Sequence, residues 1–137
     1  MRGFLRIAAV GTVLIAPTAA LAAATSSPRV LVISCNSEQY RPASIGIACG
    51  DGGVLLRKLK WSTWTSAHAT GEGQYAINDC SPSCVNGHFR SYPIEVTLSK
   101  PKSCPKHSHK AFTHIALVFE RRHPEGAATQ ITSPCPD

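Results

Sequence analysis

Apolar and polar residues alternate with a period of two along most of this chain, and no stretch repeats at the 3.6-residue period of an amphipathic helix. The plainest run is Tyr92-Pro93-Ile94-Glu95-Val96-Thr97-Leu98. Tyr92, Ile94, Val96 and Leu98 fall on one face and Glu95 and Thr97 on the other, the pattern of a half-buried strand. Pro93 has no amide proton to give a ladder, so the strand is expected to start there or to run along an edge. Ala43, Ile45, Ile47 and Cys49 alternate in the same way, as do Leu59 and Trp61 against Lys58, Lys60 and Ser62. Gly71, Gly73, Tyr75 and Ile77 form a further, glycine-weakened alternation. Val30–Ile33 and Ile115–Phe119 are almost continuously apolar, which predicts strands covered on both faces.

Turn chemistry separates these runs. Gly50-Asp51-Gly52-Gly53 carries the Asp-Gly turn dipeptide. Residues 78–87 collect Asn, Asp, Ser, Pro and Gly and predict an irregular loop. Pro101 to His109 reads as a second loop, basic and cysteine-bearing. From about residue 123 a proline-rich tail follows, with one short strand near Thr129–Thr132. Six or seven short strands with regular turn signals predict an all-β domain, a small antiparallel sandwich or barrel.

The N-terminus changes the picture of where this domain works. Arg2 and Arg6 precede an apolar stretch from Ile7 to Ala16, Pro17 ends it, and Ala20-Leu21-Ala22 and Ala22-Ala23-Ala24 both fit a small-x-small cleavage rule. That build predicts a secretory signal over residues 1–24 and a single exported domain over residues 25–137. The apolar stretch is shorter than the roughly 20 residues a spanning helix needs, and no later segment is apolar enough to span. All six cysteines lie in the exported part: Cys35, Cys49, Cys80, Cys84, Cys104 and Cys135. An even count in a small exported domain predicts three disulfides rather than a metal cluster, since no C-x-x-C pair occurs. The preferred pairing is Cys35–Cys49, Cys80–Cys84 and Cys104–Cys135, although Cys35 or Cys49 equally reaches the Cys80 loop. The 14 basic side chains become 12 once Arg2 and Arg6 leave, against 8 acidic ones. Such a mild positive excess suits an anionic surface and falls short of a nucleic-acid patch.

Candidate chemistry is sparse. Cys80-Ser81-Pro82-Ser83-Cys84 is one residue too long for a C-x-x-C redox pair and no helical pattern follows, so a loop staple is expected. His107 and His109 stand at a metal-ligand spacing, but Lys106 and Lys110 flank them and repel a cation, so a solvated basic loop is the expectation. His114 sits in an apolar strand and reads as a packed or edge residue. No G-x-S-x-G elbow occurs, and the carboxylates Glu72, Asp79, Glu95 and Glu120 fall at outward or loop positions. Between Arg57 and Trp64, inward Leu59 and Trp61 place Lys58, Lys60, Ser62 and Trp64 together on the opposite face. A Trp64 ring between Lys58 and Lys60 would stack on sugar rings or meet an anionic polymer. Alternatively, a covering layer makes both tryptophans core.

The motifs also carry a resemblance. Arg41-Pro42-Ala43-Ser44-Ile45-Gly46-Ile47-Ala48-Cys49-Gly50-Asp51-Gly52, then Leu59 to Trp64, Ala69 to Gly73, Asn78 to Phe89 and Tyr92 to Pro101, resemble in order the pattern of a group of small exported actinobacterial proteins. The likeness spans about residues 41–101 and implies export and a common fold; it supplies no catalytic residue, and no cofactor is expected. Cys104, Cys135 and the histidine-rich loop fall outside it. Together these readings lead to the expectation of a secreted, non-enzymatic binding module at or outside the cell envelope, its partner a polysaccharide or anionic surface polymer. A small hydrolase assembled in space and a secreted toxin or inhibitor of a protein partner are the alternatives.

Overall fold

The computed structural model describes residues 29–105 and 107–135; the expected signal, residues 1–24, lies outside the described residues. Eight strands follow one another: β1 (Leu31–Ser34), β2 (Ser37–Gln39), β3 (Ser44–Ala48), β4 (Val54–Trp64), β5 (Ala69–Asn78), β6 (Phe89–Ser103), β7 (Lys110–Phe119) and β8 (Gln130–Thr132). They form one sheet in the order β2-β1-β7-β6-β5-β4-β3, with β8 added to β7, and the sheet curls into a half-barrel. The all-β, disulfide-stapled class read from the sequence is therefore what the chain adopts. The described residues hold eight strands rather than six or seven, three of them very short, and one pairing among them is parallel: β1 lies along β7 through Leu31↔Ala111 and Val32↔Phe112.

The four long strands are a meander, β4 to β7, and the short ones protect its margins. β8 pairs with β7 from His114 to Ala116, just beyond β1 on the same edge. Two short strands thus share one long edge and leave little open ladder for another chain to join. Where the outer margins approach, Ser34 Oγ accepts from Gly46 N at 2.9 Å and the Cys35–Cys49 disulfide joins the β1–β2 turn to the end of β3. A Cβ at Gly46 would lie 2.6 Å from Cys35 Sγ, so only glycine lets that bridge close. Cys80–Cys84 and Cys104–Cys135 complete the expected pairing.

Burial follows the period-two pattern where the strands are regular. Ile94, Val96 and Leu98 of β6 join Leu56, Leu59, Tyr75, Phe112, Ile115 and Leu117 in the core inside the curl. β1 is covered on both sides as expected: Val32 enters this core, while Ile33 packs with Cys104 and Ala111 in a second, smaller cluster. β7 departs from expectation. Ala111 to Thr113 is buried throughout, but from Ile115 onward inside and outside alternate, and Val118 is 60% exposed. The outer face of that half of β7 has no covering layer.

Pro93 also corrects its reading. It lies inside β6, opposite Gln74 of β5, and neither begins the strand nor borders the sheet. Its carbonyl accepts from Glu120 N at 3.2 Å, so its proton-less nitrogen faces the point where β7 has already ended. The ladder loses no more than a terminal bond there. The second loop is likewise shorter than the prolines implied, because β6 and β7 stay paired as far as Ser103↔Lys110.

Candidate functional site

Two bulges in β4 decide which side chains face outward. Arg57 opposes Gln74 and Lys60 opposes Glu72, so β4 spends one residue more than β5 across that interval. The extra step falls at Lys58, whose φ is +53°. A second extra residue separates Trp61↔Gly71 from Thr63↔Thr70. Each bulge flips the parity of every later side chain. The bulged backbone also presses on β5, where a Cβ at Gly73 would lie 2.7 Å from Leu59 Cδ2 and 3.0 Å from Arg57 O.

The flip moves Trp64 out of the expected stripe. Its ring joins the face of Leu59 and Trp61 and packs half-buried against the core. Trp64 Nε1 donates to Val30 O at 2.9 Å, and the ring meets the edges or faces of Trp61, Phe112 and Tyr40 at centroid distances of 4.8, 5.7 and 5.3 Å. Trp61 Nε1 donates to Pro42 O at 2.8 Å. Lys58 and Lys60 do point outward and are exposed. The structure keeps the two lysines near one another and separates them from Trp64, because a pleat argument holds only between bulges.

What the lysines do border is a groove of 560 Å³ across the outer face of β4, β5 and β6. Its lining follows from register. Lys60, Glu72 and Glu95 stand side by side on successive strands, and Thr70 opposes Thr97 in the next row. Glu120, placed by the hydrogen bond its backbone N–H donates to Pro93 O, lines the groove with them, as does Ser62. A shallower hollow of 240 Å³ continues toward Lys58 and Gln74. Like charges opposite one another across strands repel, and Glu72 faces Glu95 directly. Among the described residues none of Glu72, Glu95 and Glu120 has a cation within ion-pair distance. Several of the hydroxyls bond one another: Thr70 Oγ1 meets Thr63 Oγ1 at 2.6 Å and Ser62 Oγ at 3.1 Å, and Ser62 Oγ also lies 3.1 Å from Thr70 O. The sequence placed Glu72 and Glu95 on outward faces but carried no signal that they adjoin Lys60, since that depends on pairing register.

The remaining candidates are dispersed. His107 Nδ1 lies 3.0 Å from Glu38 Oε1, near enough for an ion pair though not aligned for a hydrogen bond. His109 Nδ1 instead meets Ser108 Oγ at 2.9 Å, and both are exposed. His114 Nε2 meets Gln130 Oε1 at 2.7 Å, and its backbone is paired with β6 on one side and β8 on the other, so of the two readings, packed or edge, it is not the edge one. The serine and the carboxylate thus contact different histidines. Asp51 lies close to Cys80 and Cys84, but those sulfurs are bonded to each other and have no thiolate for a metal.

The loop of residues 79–88 is held by polar side chains around its disulfide. Asn78 Oδ1 accepts from Cys80 N at 2.9 Å, while its Nδ2 donates to Cys84 O at 2.7 Å. Asp79 Oδ1 accepts from His88 N at 2.9 Å and Ser81 N at 3.2 Å. Those backbone bonds, His88 first, hold the Asp79 carboxyl below its ordinary value of 3.8. A carboxyl depressed on folding contributes its order above the unfolded value and loses it as pH falls through the folded one. The His88 and Ser81 amide resonances are therefore expected to shift and broaden in an NMR titration only below about pH 3.8, and the Asp79→Asn variant should lack that transition. Unchanged amides down to pH 2 or so would show that the carboxyl does not hold the loop.

Compared with protein-family models, curated proteins and solved structures, the chain matches none.

Proposed function

We propose that this protein is an exported, non-enzymatic binding module whose outer groove holds a strand of polysaccharide. Export rests on the signal-like N-terminus and on the three disulfides, which persist in oxidising compartments. Among the described residues no helix is long and apolar enough to cross a membrane. The resemblance to small exported actinobacterial proteins supports the same compartment, and its span covers the whole groove except Glu120.

The observation that carries the binding role is the groove's lining. Sugar hydroxyls each donate and accept, and they are matched by a surface that offers both. Here Glu72, Glu95 and Glu120 offer acceptors that have no ion-pair partner among the described residues, Lys58 and Lys60 offer donors, and Ser62, Thr70 and Thr97 offer hydroxyls. A volume of 560 Å³ falls within the usual range of ligand sites. Three carboxylates against two lysines make this groove unfavourable for a polyanion and favour a neutral sugar chain.

The test is retention of oxidised residues 25–137 on an array of neutral glycans. Glu95→Ala and Lys60→Ala are each expected to weaken binding about tenfold, the effect of losing one hydrogen bond to a charged group. Both substitutions lie on an exposed face and should leave the unfolding midpoint within experimental scatter. Variants that bind as well as the parent, or a parent that retains no neutral glycan, would defeat the assignment.

A further inference from the structure

We propose a second binding surface, independent of the groove: the sheet end built from Arg29, Tyr40, Arg41, Lys102 and Lys110 receives an acidic polysaccharide.

Strand register brings the backbones of these residues to one end of the sheet from distant parts of the chain. Lys102 of β6 opposes Ala111 of β7, which opposes Leu31 of β1, while Lys110 opposes Ser103 in the next row and so rises from the other face at the same end. Neighbouring strands lie about 4.8 Å apart, so Lys102 and the start of β1 are within about 10 Å of one another. Arg29 precedes β1 at this end, and its guanidinium carbon sits 5.1 Å from the centre of the Tyr40 ring. Tyr40 itself rests against Trp64 and keeps 43% of its surface exposed. Arg41 follows in the left-handed region at φ +49°, with its Nη2 donating to Trp61 O at 2.8 Å. Arg29, Arg41, Lys102 and Lys110 are all exposed.

Charge is what distinguishes this end. The segments 29–41 and 99–115 contain one acidic residue, Glu38, and it is already beside His107. The groove, by contrast, collects three of the carboxylates. This end is thus almost free of carboxylates, and it presents two exposed guanidinium groups, Arg29 over one face of the Tyr40 ring and Arg41 with one nitrogen donating to Trp61 O. Guanidinium forks match carboxylates in bidentate geometry, and a tyrosine face stacks on a sugar ring. A sugar chain bearing carboxylates satisfies both features at once. The same end is held in place by the Trp64 and Phe112 packing beneath it, so the site is built on the core rather than on a loose arm.

The experiment measures binding of oxidised residues 25–137 to polygalacturonate, to the same polymer fully methyl-esterified, and to phosphatidylglycerol vesicles. The parent is expected to bind polygalacturonate at least tenfold more tightly than the ester, with affinity falling as salt is raised toward 0.5 M, where the screening length drops below about 5 Å. The Arg29→Gln/Arg41→Gln double variant is expected to lose about tenfold or more of that binding, as truncation of paired charges does. Lys60→Ala, in the groove, should bind polygalacturonate as the parent does, so failure here and failure of the groove assignment are read separately. Folding of each variant is checked by its unfolding midpoint and by the absence of free thiols. Equal affinity for acid and ester, an unaffected double variant, or preference for the vesicles would overturn the proposal.

Discussion

Replacing Trp64 by alanine is expected to destabilise the domain by about 3–4 kcal/mol, the lower part of the range for truncating a large aromatic in a core. The ring is half-buried rather than fully enclosed, which places the effect in that lower part. It contacts Phe112 and Trp61 inside and Tyr40 outside, and its Nε1 satisfies Val30 O at the entrance to β1. Truncation removes the packing and leaves that carbonyl without its partner. Trp64→Phe keeps most of the ring contact and should cost about 1–2 kcal/mol, the loss of one hydrogen bond and some area. Urea unfolding followed by far-ultraviolet circular dichroism measures both. A Trp64→Ala protein with an unchanged midpoint and weakened glycan binding would instead make the ring a ligand contact, as strand parity alone suggested.

The second large effect concerns the outermost staple. Converting Cys104 and Cys135 together to serine is expected to cost about 3–4 kcal/mol in the chain-entropy account, in which longer closed loops are worth more. The sequence separation is 31 for this bridge and only 4 for Cys80–Cys84, whose removal should cost about 2 kcal/mol on the same reasoning. Cys104 also packs with Ile33 and Ala111, so serine places a hydroxyl in an apolar cluster. The loss should concentrate on β8. Leu117 N donates to Thr129 O at 2.8 Å and Ser133 N to Thr113 O at 2.9 Å, and these amides should exchange with solvent far sooner in the double variant. If they stay as protected as the centre of β6, β8 is held by its own pairing and Ile131 rather than by the bridge.

These two expectations rest on features of unequal visibility. The β6 strand was plain in the sequence because Ile94, Val96 and Leu98 are regular and buried on one face, and a two-residue period has no other structural meaning there. That the thiols pair was legible, because an even cysteine count without C-x-x-C spacing behind a signal-like N-terminus predicts disulfides, whereas the choice among the open pairings came from the structure. Trp64 failed for the opposite reason. Its direction relative to Leu59 and Trp61 depends on the second extra residue in β4, and that bulge appears only when β4 is laid against Thr70 and Gly71 of β5. Pro93 misled in a related way, since the cost of its missing proton depends on where β7 stops.

What the sequence determined alone is therefore local: which segments extend, where turns break them, and that the thiols pair. Those follow from side-chain period, turn residues and covalent chemistry, each acting over a few positions or, for the thiols, through compartment. The joining of Glu72, Glu95 and Lys60 in one groove, and of Arg29, Tyr40 and Lys102 at one end, was decided by tertiary structure. Pairing register is fixed by burying Leu56, Tyr75, Ile94 and Leu117 in the same core at once, a condition on the whole sheet that no single stretch of chain expresses.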